Sequence, residues 1–263
     1  MEIRQPAVAG TFYPNDPNQL QIEVDELLNN AMLTEMDMAR IKAVIVPHAG
    51  YIYSGPVAAT AYKLLSARKG DVRRVVLLGP SHRVPLHGIA VPVTKVFRTP
   101  LGDIHLDQKA LQDLADLPGI QFRDDAHAGE HSLEVQLPFL QTVLGEFTLV
   151  PMVVGLTDAD TVVAVLERFW DDDESLIVIS SDLSHYHPYL AARSIDSETT
   201  RRIEQLDHSI TGEEACGCHP LNSLLKLAKQ KGLKITTLDL RNSGDTAGSK
   251  DQVVGYGSYA VCS

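Results

Sequence analysis

Three apolar runs of the chain each lead into a histidine. IKAVIVPH ends at His48, RRVVLLGPSH ends at His82, and LIVISSDLSH ends at His185. Runs this rich in valine, isoleucine and leucine, bounded by proline, glycine and serine, are typical of buried parallel strands. In an open α/β sheet, ligands bind in the crevice beyond the carboxyl ends of the strands. The pattern therefore predicts that the three imidazoles converge on one pocket.

Helical periodicity alternates with these strands. A first helix is expected at 17–33, with Asp16 as its cap and Pro17 in its first turn. A second is expected in PVAATAYKLL after His48, and Pro138 should kink or interrupt a third. The remaining elements follow in chain order: an edge hairpin or irregular segment at 88–106, helices at 107–117, 131–144, 158–171, 194–207 and 220–231, a core strand at 147–155, and two final strands joined by a Gly/Ser-rich turn.

This alternation has no internal repeat or linker, and it predicts one α/β domain over residues 1–263. We expect a three-layer α/β/α arrangement around a mostly parallel or mixed central sheet. The chain is long enough to bury a full core, and its 44% hydrophobic and 22% charged residues are ordinary for a soluble globular protein.

Charge and composition narrow the possible partners and location. A formal net charge of −11 argues against nucleic acid or an anionic membrane as the main partner. No apolar stretch is long enough to cross a bilayer, and MEIRQPAVAG has no signal-peptide pattern, so a cytoplasmic location is expected. Three cysteines do not make a disulfide framework, and we expect free thiols.

Two of the histidines favour a shared site. A lone histidine is more often a core residue, but His48 in PHAGY and His82 in GPSH stand at equivalent strand ends. Neutral imidazole is a common metal ligand, so a metal or substrate site is expected there. Asp182 and His185 lie three residues apart in SSDLSH. This spacing suits a metal site or an acid/base pair in which the carboxylate orients the imidazole, unless Asp182 simply caps a helix.

Two further segments carry candidate chemistry. Cys216 and Cys218 lie in CGCHP just before a helix, where a thiol pKa is lowered and thiolate chemistry is favoured. No second ligand pair supports a structural zinc site, and small buried residues in a turn are the alternative for Cys218. His131 and Glu134 in EHSLE would share a helix face. They either line the cleft, as substrate-binding residues, or serve helix capping.

Taken in order, several motifs of the chain resemble those of the Memo family, whose bacterial and archaeal members are also known as protein B of the AmmeMemoRadiSam system. The matching segments run from end to end of the sequence: AGTFYP, PHAGYIYSG, LLGPSHRVP, RTPLG, EHSLEVQLPFL, SSDLSHY, CGCHP and VVGYG. The resemblance implies a fold like that of LigB-type class III extradiol dioxygenases, which use non-haem Fe(II).

The resemblance also assigns residues to roles. It implies a metal held by His48, His82 and Cys216, with Fe(II) expected, copper as the alternative and zinc ranked lower. Asp182 and His185 fall beside the metal as candidate catalytic residues, and Phe12 and Tyr53 line the same vestibule as substrate-binding residues. The family name further implies AMMECR1-like and radical SAM partner proteins. A thiolate in place of the dioxygenase carboxylate makes ring cleavage doubtful.

Three functional hypotheses remain at this point. In the first, the protein is a redox-related metal protein, with His185 as a general acid/base oriented by Asp182 and a small molecule or peptide in the cleft. In the second, Cys216 is a nucleophile in a metal-free Cys–His–Asp enzyme, which leaves His48 and His82 without a role. In the third, the cleft is a non-catalytic site for a peptide or partner protein.

Overall fold

The structure, a computed structural model, describes residues 2–33 and 41–262. Its strands are β1 Ile3–Arg4, β2 Ile41–Val46, β3 Arg74–Pro80, β4 Ile89–Val91, β5 Val96–Thr99, β6 Gly102–His105, β7 Ile120–Phe122, β8 Thr148–Val154, β9 Ser175–Ser180, β10 His185–His187, β11 Lys234–Asn242 and β12 Val253–Cys262. Its α-helices are α1 Pro17–Asn30, α2 Tyr51–Leu65, α3 Gln108–Asp113, α4 Asp124–Ala128, α5 Leu137–Leu144, α6 Ala159–Trp170, α7 Tyr189–Glu204 and α8 Cys218–Gln230.

The central sheet is mixed. Within the described residues it has nine strands, eight of them in the order β10-β12-β2-β9-β3-β8-β4-β7, while β11 also pairs with β12. Strands β2, β9, β3 and β8 are parallel neighbours, whereas β12 and β4 flank them antiparallel. Helices lie on both sides of the sheet. The predicted α/β class with a mixed sheet and helices on both faces is therefore confirmed.

The parallel strands are largely apolar because both of their faces are covered. Every residue of β9 is buried, and so are all residues of β3 and β8 except the first of each. Their side chains belong to one continuous cluster with the inner faces of α1, α2, α5, α6 and α8. No helix in the described ranges is long and apolar enough to cross a membrane.

Among the expected segments, 88–106 and 131–144 differ in more than their bounds. Residues 88–106 split between two sheets: β4 joins the central one, while β5 and β6 form a hairpin that pairs with β1 in a separate three-stranded sheet. The helix expected at 131–144 begins only at Leu137, after a 3-10 turn at Glu134–Gln136. Pro138 lies in the first turn of α5, where its missing N–H costs no hydrogen bond, so it marks the break.

Candidate metal centre

The histidines after β2 and β3 meet at the carboxyl edge of the sheet. Strand β9 lies between β2 and β3, with Val46 opposite Ser180 and Leu78 opposite Ile179, so the three strands end side by side. The ring centroids of His48 and His82 are 5.1 Å apart. The structure therefore brings together two of the three imidazoles that the strand pattern predicted to converge, and the third, His185, lines the same cleft.

A third imidazole, from His131, completes this group. Its ring is stacked on His82 with centroids 4.6 Å apart and lies edge-on to His48 at 5.5 Å. One ring nitrogen from each of the three histidines lies within 4.8 Å of the other two. The sequence-based expectation placed His131 among the substrate-binding residues, whereas its position in the structure is that of a possible metal ligand.

The tautomer of His48 follows from its hydrogen bonds. Nδ1 lies 2.9 Å from Ser180 Oγ, and Ser180 uses its one hydroxyl proton to donate to the carbonyl of Ser132. Gln136 Nε2 donates to the same oxygen at 2.8 Å. Ser180 must therefore accept from Nδ1–H of His48. The lone pair of His48 Nε2 is left facing the site, as a metal ligand requires.

Glu130 fixes His82 in the same way. Its carboxylate accepts from the backbone N–H of His82 at 2.6 Å and from Nδ1 at 2.9 Å, which leaves Nε2 as the ring nitrogen able to bind a metal. Burial raises the pKa of Glu130, but the hydrogen bonds and charge of His82 and the N–H of Ser132 outweigh it and bring the pKa to about 2. Glu130 is therefore an ionised acceptor, of the kind that orients metal-binding histidines.

The group offers neutral donors. Burial lowers the pKa of His48 well below its ordinary value, and it lowers that of His131 to about 4. In addition, the buried Nδ1 of His131 makes no hydrogen bond within the described residues, although it lies 3.4 Å from Glu130 Oε1. Buried polar atoms in native proteins are nearly always satisfied. Three converging imidazoles, with a nitrogen of His131 left unpaired, fit a bound transition metal.

Cys216 lies beside the group rather than within it. Its Sγ is 3.2 Å from His48 Nε2 and accepts from the backbone N–H of Asp182 at 3.3 Å. Sγ does not belong to the set of ligand atoms that all lie within 4.8 Å of one another. Burial, and next the charge of Asp182, raise the pKa of the Cys216 thiol, so the expectation of a lowered pKa was wrong.

The close approach of the Cys216 loop depends on glycine. The N–H of Gly217 donates to Ser181 Oγ at 2.9 Å, and the backbone N–H of Cys216 donates to the Asp182 carbonyl. A Cβ at Gly217 would lie 2.7 Å from the carbonyl oxygen of Ser180. A side chain at position 217 would therefore push the thiol away from His48.

The predicted pairing of Asp182 with His185 is not formed. Asp182 Oδ1 accepts from the backbone N–H of His48 at 2.7 Å, while His185 bonds the carbonyl of Leu183. No hydrogen bond joins the two side chains in the part of the chain that the structure describes. Residues 181–184 form neither helix nor strand, so the spacing of three residues does not place the two side chains on one helix face. Asp182 does not cap α7 either, because Pro188 occupies that position.

Glu134 has a structural role, and the expectation that it lines the cleft was wrong. It is fully buried and accepts four hydrogen bonds from the N-terminal segment, residues 2–13, which we call the N-terminal strap. The donors are Arg4 Nη1 at 2.6 Å, the N–H groups of Ala7 and Val8 at 2.7 and 3.0 Å, and Tyr13 OH at 2.6 Å.

The strap brings Phe12 to the site. The Phe12 ring lies 4.9 Å from that of His131, and its carbonyl accepts from the N–H of Tyr51 at the start of α2. Phe12 and Tyr53 both line a cleft of about 660 Å³ that also contains His48, His82, His131, Asp182 and His185. The predicted substrate-binding aromatics thus border the histidine group.

The remaining walls come from segments to which sequence reasoning gave no role. Tyr186 and Tyr256 add two aromatic rings, and the loop after β11 contributes Ser243, Gly248, Ser249 and Gln252. Glu130, Ser180 and Gln136, which orient the ligand histidines, were also missed. No local signal could have found them, because each of these contacts joins segments far apart in the chain.

Comparison with known proteins gives the family. The profile of the Memo-like protein family matches residues 4–260. A MEMO1 family protein of Saccharolobus solfataricus is 36% identical over 278 residues, covering 96% of this chain and 97% of that protein. One of Methanopyrus kandleri is 36% identical over 274 residues, covering 96% of each. The chain therefore belongs to the Memo family.

A solved structure shares the fold. The crystal structure of an uncharacterized protein from Escherichia coli K12 superposes with a TM-score of 0.53 at 16% identity, covering 82% of this chain and 99% of the other. At this identity the likeness concerns the fold alone.

Proposed function

We propose that this protein is a redox-related metal protein that binds iron at the carboxyl edge of its central sheet. His48, His82 and His131 would hold the metal, and Cys216 would supply a sulfur donor beside His48. Copper is the alternative metal and zinc ranks below both. A bound iron or copper ion supplies one-electron chemistry and free coordination positions for a small ligand.

The observation that carries the proposal is the hydrogen-bonded orientation of the imidazoles. Ser180 and Glu130 hold the Nδ1–H groups of His48 and His82, so both Nε2 lone pairs are available in the same cleft. A purely structural histidine would be satisfied at both nitrogens. Here a third imidazole and a thiol converge on the same place.

The cleft supports ligand access to the metal. Its volume of about 660 Å³ is in the range of small-molecule sites, and its lining combines aromatic rings with a few polar groups. His185 lies at this wall, where burial lowers its pKa and favours the neutral imidazole. It would exchange protons with a bound ligand, oriented by the Leu183 carbonyl rather than by Asp182.

The geometry favours this proposal over a metal-free cysteine enzyme. Such an enzyme needs Cys216 paired with a base that a carboxylate orients. Cys216 instead contacts His48, which Ser180 orients, and burial opposes the thiolate. No comparable observation favours a non-catalytic scaffold.

The test is metal content after anaerobic purification, measured by elemental analysis and by EPR of the nitric oxide adduct. Wild type should hold about one iron per chain, and the adduct spectrum should report a free coordination position. His48→Ala and His82→Ala should lose the iron, whereas His208→Ala, at a histidine outside the cleft, should keep it. Full iron retention in His48→Ala or His82→Ala would overturn the proposal.

A further inference from the structure

A second cavity lies between the N-terminal strap and α4. Its volume is about 410 Å³, which is in the range of small-molecule sites. It shares no lining residue with the cleft that contains the histidine group. Most of its wall is apolar and comes from the strap, β5 and α4: Ile3, Pro6, Ala7, Phe97 and Ala128.

One lining residue, His127, has an unused hydrogen-bond acceptor. Its side chain is 2% exposed, and Nε2 lies 3.0 Å from the carbonyl oxygen of Ala90. Because a carbonyl can only accept, Nε2 carries the ring proton and Nδ1 presents a lone pair. Nδ1 has no hydrogen-bond partner within the described residues, and burial lowers the pKa of His127 to about 4, so the lone pair is available at neutral pH. Such a buried acceptor indicates a donor that the described residues do not supply.

Asp124 adds a negative charge to the same lining. Its Oδ1 accepts from the N–H groups of Val93 and Thr94 at 2.9 and 3.0 Å and from the Thr94 hydroxyl at 3.0 Å. Over residues 2–33 and 41–262, its Oδ2 accepts no hydrogen bond and the carboxylate pairs with no cation. Asp124 and His127 are three residues apart in α4, which places both acceptors on one face of this helix.

Arg4 also lines the cavity, but its charge is already balanced. Its Nη1 forms an ion pair with the buried Glu134 at 2.6 Å, and Nε and Nη2 donate to the carbonyls of His127 and Glu130 at 2.7 Å. The charge of Asp124 has no such partner among the described residues. The surroundings of the cavity therefore have an unbalanced negative charge, which favours a cationic ligand.

We propose that this cavity binds a small organic cation, namely a primary alkylammonium ion. Its N–H groups donate to His127 Nδ1 and to the Asp124 carboxylate, and its alkyl body packs against the apolar wall. An ammonium group has three donors and no acceptor, which matches the two acceptors of the site. The site is separate from the metal centre, so the inference goes beyond the proposed function and does not depend on it.

The test is a titration of metal-free protein with n-butylammonium at pH 7, followed by proton–nitrogen NMR correlation spectra. Butylammonium should bind with a Kd on the order of 1–10 mM, as expected for a ligand of so few atoms. Butanol lacks the charge and should bind about tenfold more weakly, and butyrate should not bind. Methylammonium lacks three methylene groups for the apolar wall and should also bind about tenfold more weakly.

A direct readout locates the ligand. Signals of residues 3–7 and 124–128 should move during the titration, whereas those of the cleft should not. The nitrogen resonance of His127 Nδ1 should shift upfield, because a bare imidazole nitrogen becomes a hydrogen-bond acceptor.

A matched pair of variants separates this site from general attraction to an acidic protein. Asp124→Asn keeps an oxygen for the N–H groups of Val93 and Thr94 but removes the charge, and butylammonium affinity should fall about 5- to 10-fold. Asp125→Asn removes the same charge one residue away, at a carboxylate that pairs with Arg123 outside the lining. Its affinity should stay within about twofold of wild type.

Three results would each overturn the proposal. The first is no binding of butylammonium at about 50 mM, well above the expected Kd. The second is equal affinity for butylammonium and butanol, or an equal loss in Asp124→Asn and Asp125→Asn. The third is binding that leaves the His127 Nδ1 resonance unchanged.

Discussion

The hydroxyl of Ser180 controls the nitrogen that His48 presents to the cleft. It is fully buried and joins three groups: the Ser132 carbonyl, the Gln136 amide and His48 Nδ1. Because the hydroxyl has a single proton, its direction sets the imidazole tautomer. One small side chain therefore determines whether Nε2 of His48 is free to bind a metal.

Removing this hydroxyl should weaken metal binding. Ser180→Ala leaves His48 Nδ1 without its acceptor, so the imidazole proton is no longer held on that nitrogen. Iron affinity should therefore fall about 10- to 100-fold. Unfolding should become easier by about 1–3 kcal/mol. Chelator competition measures the first effect and urea denaturation the second. Ser258→Ala, at a buried serine that bonds Thr60, is the control that should lose stability alone; equal iron affinity in both variants would contradict the assignment.

Asp196 lies away from the metal centre and should make the stability of the protein depend on pH. It is 2% exposed, and burial raises its pKa from 3.8 to about 6, although the N–H of Ser184 and the charge of His187 oppose the shift. Because the folded pKa is above the unfolded one, its contribution to stability is complete below pH 3.8 and disappears as the pH rises through about 6.

The unfolding free energy of Asp196→Asn should therefore increase relative to that of wild type as the pH rises. The difference in unfolding free energy between variant and wild type should move in favour of the variant by up to about 3 kcal/mol between pH 4 and pH 7. Urea denaturation at several pH values gives this difference. A constant difference across that range would show that Asp196 does not titrate with a raised pKa.

At the scale of elements, the N-terminal strap is joined to the site through Glu134. The buried carboxylate holds Arg4, the backbone of Ala7 and Val8, and the Tyr13 hydroxyl. The strap in turn holds Phe12 against His131. One buried charge therefore positions an aromatic wall of the cleft.

Breaking the ion pair between Arg4 and Glu134 should loosen the strap. Glu134→Gln leaves Arg4 buried without its counter-charge, which costs about 3–5 kcal/mol. Hydrogen exchange should accelerate across residues 2–13 relative to the central strands. Asp103→Asn breaks the exposed pair with Arg98 and should cost less than about 1 kcal/mol. Small and similar losses of stability in the two variants, with unchanged hydrogen exchange in the strap, would contradict this role of Glu134.

The elements also show how far the sequence predicts the site. The runs before His48 and His82 are so apolar that only buried strands fit them, and parallel neighbours necessarily end at one edge. Glu134 was misplaced because helical spacing was extended back to residue 131, whereas α5 starts only at Leu137. Asp182 and His185 are close in sequence, but a break between β9 and β10 separates their side chains.

Contacts between distant segments of the chain could not be predicted from the sequence. Glu130 meets His82 across 48 residues, and Ser180 meets His48 across 132. No local pattern encodes such pairs, because they depend on the order of strands in the sheet. Cys216 is a candidate from its position before a helix, but its role as a metal ligand came from the family resemblance alone. Its raised thiol pKa follows from burial that only the fold reveals.

At the scale of the whole molecule, the core and the site are separate. The apolar cluster fills the space between the sheet and the helices, whereas the histidines lie beyond the ends of β2 and β3. The fold therefore does not depend on a metal for its hydrophobic stabilisation. This differs from small metal-stabilised domains, which unfold when the metal is removed.

Metal removal should consequently leave a folded protein. Dialysis against a chelator should not change the far-UV circular dichroism spectrum. Free metal at about 100 times Kd should raise Tm by about 5–10 °C over the stripped protein. His82→Ala should show the stripped Tm with and without metal. Loss of secondary structure on chelation would mean that the metal is part of the fold.

The central claim is that one metal ion binds among His48, His82 and His131. Anomalous diffraction at the iron absorption edge, from crystals grown without oxygen, tests this claim most directly. We expect a single anomalous peak bonded to Nε2 of His48 and of His82 and to a ring nitrogen of His131, with Cys216 Sγ next to it. A map without a peak in the cleft, or with a peak bonded to other residues, would contradict it.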